Sequence, residues 1–325
     1  MSAFFNRYRR LTIVVFAAMC VSTAGIAQYD QPVQGSDPIQ WMLDWEQAVM
    51  TAQKQHRPLM GYVLRSSSNR DEDLERAQKR VFNDPRVQQL AKRYVPVKMS
   101  MSQQRDVLKK WGLPADANLY IVFATPTGEK LDDLAPSGLT NVDSTIQKMS
   151  RCYQIYRKQI YEKELKDKLE SESTSAGELM KALSMVQQMN LVEADASVVK
   201  VVERKGIDKK AANEAYETLA RLSTKISVTK LIELTREKDA AAIKALGQCN
   251  PGAAEYLAPS LTSDDQEEKV AAYLAVVKIC KVKDAKPEKF FSGKNARIIE
   301  EEIQRVKKLA EKAAARWKEQ NDDAR

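Results

Sequence analysis

Apolar positions in the first half of the chain switch repeatedly between helix and strand periods. Trp41, Trp45, Ala48 and Ala52 recur at helical spacing, with Met42 and Val49 broadening the stripe. Asp37-Pro38 ahead of them supplies an N-cap followed by a first-turn proline, so the pattern predicts a helix starting at Asp37. Core packing is the expected role of both tryptophans. Residues 58–64 are an unbroken apolar run, as in a central strand covered on both faces. Leu74, Ala77 and Val81 place one apolar face on the next helix. Val95, Val97, Met99 and Met101 alternate as a half-buried strand, and Val107 and Trp111 mark a short helix stopped by Gly112. Residues 119–124 read as another buried strand, followed by a Thr125-Pro126-Thr127-Gly128 turn and a further strand. Ile146, Met149, Tyr153, Tyr156 and Ile160 then form a helical stripe.

The second half shows only helical periods. The stripe ending at Ile160 is expected to continue through charged residues 162–170, and the polar run 171–175 breaks it. Helical patterns follow over 179–188, 196–204, 211–222, 228–236, 240–249, 253–261, 267–280 and 297–317. Connections as short as Ser223-Thr224-Lys225 and Asn250-Pro251-Gly252 imply antiparallel neighbours. Ser197-Val198-Val199-Lys200-Val201-Val202-Glu203 is echoed thirty residues later by Ser227-Val228-Thr229-Lys230-Leu231-Ile232-Glu233. In this echo the region resembles a HEAT-type or related helical-repeat array, with a non-repetitive helical bundle as the alternative. Ile299, Ile303, Val306, Ala310, Ala313 and Trp317 make a short coiled-coil-like seam on the last helix, which can pack on its own domain or on a partner.

The amino terminus adds a compartment. Arg7, Arg9 and Arg10 precede an apolar stretch from Leu11 to Val21, and Gly25 and Ala27 are small residues at the positions a signal peptidase reads. A secretory signal over residues 1–27 is expected, with an uncleaved anchor as the rival. The mature protein is then exported, to the periplasm or beyond the cell, without an integral span. The organisation expected is a signal peptide (1–27), a polar lead (28–36), an α/β domain with an extended last helix (37–170), a linker (171–176) and an α-helical repeat-like or bundle domain (177–325). The linker is expected to be protease-sensitive.

The formal charge of +8 comes from 52 basic and 44 acidic residues, of which three arginines leave with the signal. Both signs are interspersed, which describes a solvated surface and argues against a nucleic-acid partner. Cys152, Cys249 and Cys280 remain beyond the signal, too few and too far apart for a disulfide framework. A Cys249–Cys280 pair and three separate buried thiols are both open. His56 is the single histidine and has no sequence neighbour to complete a triad or zinc site, so a surface or capping role is expected.

Trp45-Glu46-Gln47-Ala48, Arg57-Pro58-Leu59, Val81-Phe82-Asn83-Asp84-Pro85-Arg86-Val87, Tyr94-Val95-Pro96-Val97-Lys98, Trp111-Gly112-Leu113 and the Thr125-to-Gly128 turn stand in the order and spacing of a known family. In these pieces residues 37–160 resemble thioredoxin-like proteins, particularly exported ones. The resemblance implies a Cys-x-x-Cys pair after the first central strand and a cis-proline before the third. Asp71 and Leu74 fall at the cysteine positions and Leu119 near the proline, and no cysteine occurs between residues 28 and 151. A helix N-terminus lowers the pKa of a thiol placed there, whereas Asp71, Glu72 and Asp73 put carboxylates in that turn, with residues 66–69 available to cap it.

No catalytic, cofactor-binding or metal site is therefore assigned, and no cofactor is expected. The sequence reads as an exported, non-catalytic interaction or scaffold protein with a redox-inactive thioredoxin-like domain and a protein partner. The alternatives are a single-thiol redox enzyme using Cys152, another enzyme of the cell envelope, and a purely structural envelope component.

Overall fold

Met42 is where the chain first departs from the helix expected there. Its N–H donates to Pro96 O and its carbonyl accepts from Lys98 N–H, at 2.9 and 2.8 Å, so this segment is extended and pairs like a strand. Helix α1 (Trp45–Gln55) starts later, because the Asp44 carboxylate accepts from Gln47 N–H and makes Asp44 the N-cap. The helix ends at His56, whose left-handed backbone (φ 49°) aims its N–H back at Ala52 and Gln53. The computed structural model describes residues 38–64, 72–100, 102–114 and 117–321. The expected signal and polar lead (residues 1–36), Asp37, residues 66–69, Asp71 and Met101 lie outside the described residues.

Strands β1 (Leu59–Leu64), β2 (Val95–Ser100), β3 (Tyr120–Ala124) and β4 (Lys130–Leu134) form one mixed sheet in the order β2-β1-β3-β4. β1 pairs parallel with β2 and antiparallel with β3, and β3 pairs antiparallel with β4. Both faces of β1 are covered, which is why its sequence is apolar without alternation. Leu59 and Val63 face a core shared with Ala48, Ala52, Val97, Leu108 and Trp111, under α1 and α4 (Arg105–Lys110). Met60 and Tyr62 face the opposite core, with Val81, Val87, Leu90, Phe123 and Met149. Helices α2 (Glu72–Phe82), α3 (Pro85–Ala91) and α5 (Val142–Ile160) cover that side. α3 escaped the periodicity reading, although Asp84-Pro85 is a cap followed by a first-turn proline, and Asp84 does accept from Arg86 N–H at 2.9 Å. Gly128 closes the hairpin turn at φ 80°, and the Trp111 indole donates to its carbonyl at 2.9 Å, tying α4 to the β3–β4 hairpin.

α5 runs on through a π turn (Tyr161–Leu165) into α6 (Lys166–Glu170), as the charged stretch suggested. The rest is helical: α7 (Ala176–Met189), α8 (Asp195–Val202), α9 (Lys209–Leu222), α10 (Lys225–Arg236), α11 (Ala240–Leu246), α12 (Ala254–Leu257), α13 (Gln266–Ile279) and α14 (Ala296–Asn321). α6, α8, α10 and α12 pack in succession on one side, and α7, α9, α11 and α13 in succession on the other. The thirty-residue echo has a physical basis in this stacking. Ser197 donates to Glu170 at 2.7 Å and Lys200 pairs with the same carboxylate at 3.0 Å. One step on, Ser227 donates to Asp195 and Lys230 pairs with Glu203 at 2.7 Å. Each serine and lysine thus reaches back to an acid on the preceding helix of its layer. The seam of α14 packs within the chain, burying Ile303, Val306, Ala310 and Ala314 over α12 and α13.

Residues 171–176 separate α6 from α7 along the chain, yet side chains from both sides of this stretch meet in one core. Tyr156, Ile160, Tyr161, Leu165 and Leu169 are buried together with Leu179, Leu183, Val186, Val198 and Val201. The described residues after Ser36 accordingly belong to a single compact unit.

Candidate functional site

The departure at Met42 creates an aromatic-floored hollow on the sheet half. Because the segment before Asp44 is not helical and Met42 pairs with β2, Trp41 is not part of a helical stripe. It leans over the opposite side of the sheet from α1, against Tyr62 of β1 and Phe82 of α2. Ring centroids are 5.5 Å apart for Trp41–Tyr62 and Trp41–Phe82 and 5.3 Å for Tyr62–Phe82, with the Phe82 ring edge-on to both partners. These three rings floor a groove of about 420 Å³, completed by Pro38, Ile39 and Leu64. That volume lies within the range of small-ligand and side-chain pockets, roughly 300–1,000 Å³.

Polar groups stand on the groove's rim. Glu75, Lys79 and Phe82 of α2 share a helix face through their four- and three-residue spacing, Lys98 comes from β2, and Asn83 and Asn118 complete the lining. Lys79 and Lys98 are exposed, and neither forms an ion pair among the described residues. Tyr62 is held from below: its hydroxyl donates to Gln78 Oε1 at 2.8 Å. Burial, aided by Glu75, raises the Tyr62 pKa well above that of a free phenol, so the ring remains a neutral donor. The fully buried Gln78 amide donates in turn to Leu119 O at 3.2 Å and Pro136 O at 3.3 Å. One amide thereby joins α2, β1, the start of β3 and the turn after β4. Leu119 sits there at φ 60°, a left-handed conformation that costs a non-glycine residue about 1–2 kcal/mol.

The residues singled out by chemistry fall elsewhere or remain undescribed. Glu72 and Asp73 are exposed in the first turn of α2, where Asp73 pairs with Arg76 at 2.9 Å, and Leu74 packs against the core. Trp45 packs edge-on to Trp111 at 5.5 Å, as expected of a core residue. His56 caps α1 and is exposed. Cys152, Cys249 and Cys280 are free thiols, the first two buried and the third partly so. Burial pushes Cys152 up to about 12, with a contribution from Asp132, and burial likewise pushes Cys249 up to about 12. Both therefore resist forming the nucleophilic thiolate. Alkylation of the native protein at pH 8 is expected to label Cys280 first and Cys152 and Cys249 only as the chain unfolds. Rapid native labelling of Cys152, read by peptide mass mapping, would contradict this placement.

A second, more open hollow of about 560 Å³ lies beside the start of α1, lined by Leu43, Asp44, Glu46, Gln103, Gln104 and Asp106 with Trp45 and Val107. Its wall is mostly carboxylates and amides, with Trp45 as its single aromatic ring. Among the described residues no three His, Cys, Asp or Glu side chains gather where they could hold a metal ion. No described helix is long and apolar enough to cross a membrane. Trp41 was the residue that sequence reasoning misplaced, and the signal that could have found it was Asp44 followed three residues later by Gln47, a capping pattern that starts the helix after Trp41. Comparison with protein-family models finds no match to this chain, and comparison with curated proteins finds none either.

Proposed function

We propose that the chain is an exported, non-catalytic interaction protein whose thioredoxin-like, redox-inactive half binds an extended peptide segment of a protein partner in the aromatic groove. The observation that carries this reading is the three-ring floor of Trp41, Tyr62 and Phe82 beneath two exposed lysines. The rings offer burial to an apolar or aromatic side chain, and Lys79 and Lys98 complement carboxylates flanking it. The occupant is thus a segment with an apolar anchor between acidic residues. The mixed four-strand sheet with helices on both faces supports the thioredoxin-like reading of this half. The layered succession of α6 to α13 supports a helical-repeat array in the other half, acting as a scaffold.

The groove opens beside the end of β1 and Asn118, the edge where a thioredoxin site would hold its thiols. An aromatic floor there favours binding over thiol exchange, which needs an exposed low-pKa thiolate and a resolving partner. The single-thiol alternative has no comparable support, since Cys152 is fully buried on the core face of α5.

The test is selection of phage-displayed random peptides on the intact protein. Peptides with an aromatic or leucine residue between Asp or Glu residues should be enriched, with binding at least tenfold weaker to Trp41→Ala and to Lys79→Glu/Lys98→Glu. Enrichment of basic peptides, or binding that ignores these substitutions, would contradict the reading. A thermal melt of each variant separates lost binding from lost folding.

A further inference from the structure

The connection between α13 and α14 gathers five exposed lysines within fourteen residues. Lys281, Lys283, Lys286, Lys289 and Lys294 are all exposed, and only Asp284 and Glu288 lie among them. None of the five forms an ion pair among the described residues. Some lysines elsewhere in this half are matched to acids: Lys200 to Glu170, Lys230 to Glu203, Lys238 to Glu267 and Lys318 to Glu255.

The backbone carrying these lysines is anchored. Lys286 N–H donates to the Tyr273 hydroxyl at 2.8 Å, Arg305 donates to Asp284 O at 3.3 Å, and Gln266 Nε2 donates to Phe291 O at 3.2 Å. Phe291 is buried edge-on against Tyr273, with centroids 4.6 Å apart. The connection therefore runs back along α13 with its apolar residue inward and its lysines outward. Ile298, 47% exposed in the first turn of α14, adds an apolar side chain next to the charges.

We infer that this connection is a contact surface for an anionic phospholipid bilayer. The residues are lysines, flexible point charges with no fixed fork, which suits many laterally mobile phosphates better than one defined anion. Five exposed lysines against two acids within a short stretch match the polybasic segments that gather at negatively charged leaflets, and Ile298 can enter the headgroup region beside them. With no described helix able to span a bilayer, this attachment is peripheral and reversible. The inference does not rest on the peptide groove.

The test uses the chain from Gln28 onward, which keeps the whole compact unit that begins at Asp37. It is sedimented with vesicles of phosphatidylcholine alone and of phosphatidylcholine mixed equally with phosphatidylglycerol. Binding is expected only to the mixed vesicles and to be lost in high salt, because surface attraction is screened. A Lys281→Gln/Lys283→Gln/Lys289→Gln/Lys294→Gln variant should bind at least a hundredfold more weakly, at roughly fivefold per lysine. The single variants Lys283→Glu and Lys294→Glu should each weaken binding measurably, and they keep the test valid if the fourfold variant misfolds. Lys238→Gln/Lys318→Gln, which removes paired lysines, should bind nearly as the parent does. Equal binding to both vesicle types, no binding to either, or indifference to the connection's lysines overturns the inference. Lysine-dependent binding to polyglutamate without vesicle binding overturns it too, and reassigns the surface to an acidic protein.

Discussion

Replacing Leu165 and Leu169 together by alanine is expected to destabilise the helical half by about 4–10 kcal/mol, from about 2–5 kcal/mol for each buried leucine truncated. Both side chains are almost completely buried, 2% and 0% exposed, in the core they share with helices α7 and α8. Leu165 ends the π turn and Leu169 lies on α6, the continuation of the sheet half's last helix, so the helices packed on them lack one wall without them. A loss of this size is most of the ~5–15 kcal/mol that holds a typical domain together. Urea unfolding followed by circular dichroism should show the helical signal lost at a much lower midpoint. Leu43→Ala, at a side chain 76% exposed, should stay within about 0.5 kcal/mol of the parent. A helical fragment starting at Ala176 should fail to fold cooperatively for the same reason. A double variant as stable as the Leu43 control would mean that the two halves do not share this core.

Gln78→Leu is expected to cost about 3 kcal/mol or more, since burying one unsatisfied polar group costs about 1–3 kcal/mol and three are left at once. The Tyr62 hydroxyl loses its acceptor, and the carbonyls of Leu119 and Pro136 lose their donor. Leucine is close to glutamine in volume, so the effect reads hydrogen bonding more than packing. Adding Tyr62→Phe should recover part of the loss, because removing both partners of a buried hydrogen bond is cheaper than removing one. The groove should feel the change as well, since the amide holds its floor and the left-handed turn at Leu119 together. Equal stability of Gln78→Leu and the parent would remove the amide from that role.

Most elements were legible because they are set by local pattern. β1 is buried on both faces, so its residues are uniformly apolar; Val95, Val97 and Met99 of β2 alternate because only one of its faces meets the core. The helices of the second half follow from apolar stripes and polar connections, and the echo at Ser197 and Ser227 foretold a repeated contact. The candidate site was not legible. Its floor joins Trp41, Tyr62 and Phe82 from three elements, and what brings Trp41 there is a long-range backbone pairing of Met42 with Pro96 and Lys98. No periodicity records such a pairing, and the helical spacing of Trp41 and Trp45 pointed the other way. Gln78 was silent for a similar reason, as a polar residue on an amphipathic helix looks exposed until its distant partners are known. The shared core across residues 171–176 was hidden because a polar run interrupts the sequence without separating the side chains on either side.

The most direct measurement is a titration of the intact, nitrogen-15-labelled protein with a selected acidic–aromatic peptide, following the indole N–H signals of its four tryptophans. Trp41→Phe assigns one signal, and Trp45, Trp111 and Trp317 serve as internal references in other parts of the fold. The groove reading predicts that the Trp41 signal shifts in a saturable way while the other three stay nearly fixed, and that Lys79→Glu/Lys98→Glu abolishes the shift. A peptide that binds yet leaves Trp41 unmoved, or moves Trp317 instead, would contradict it.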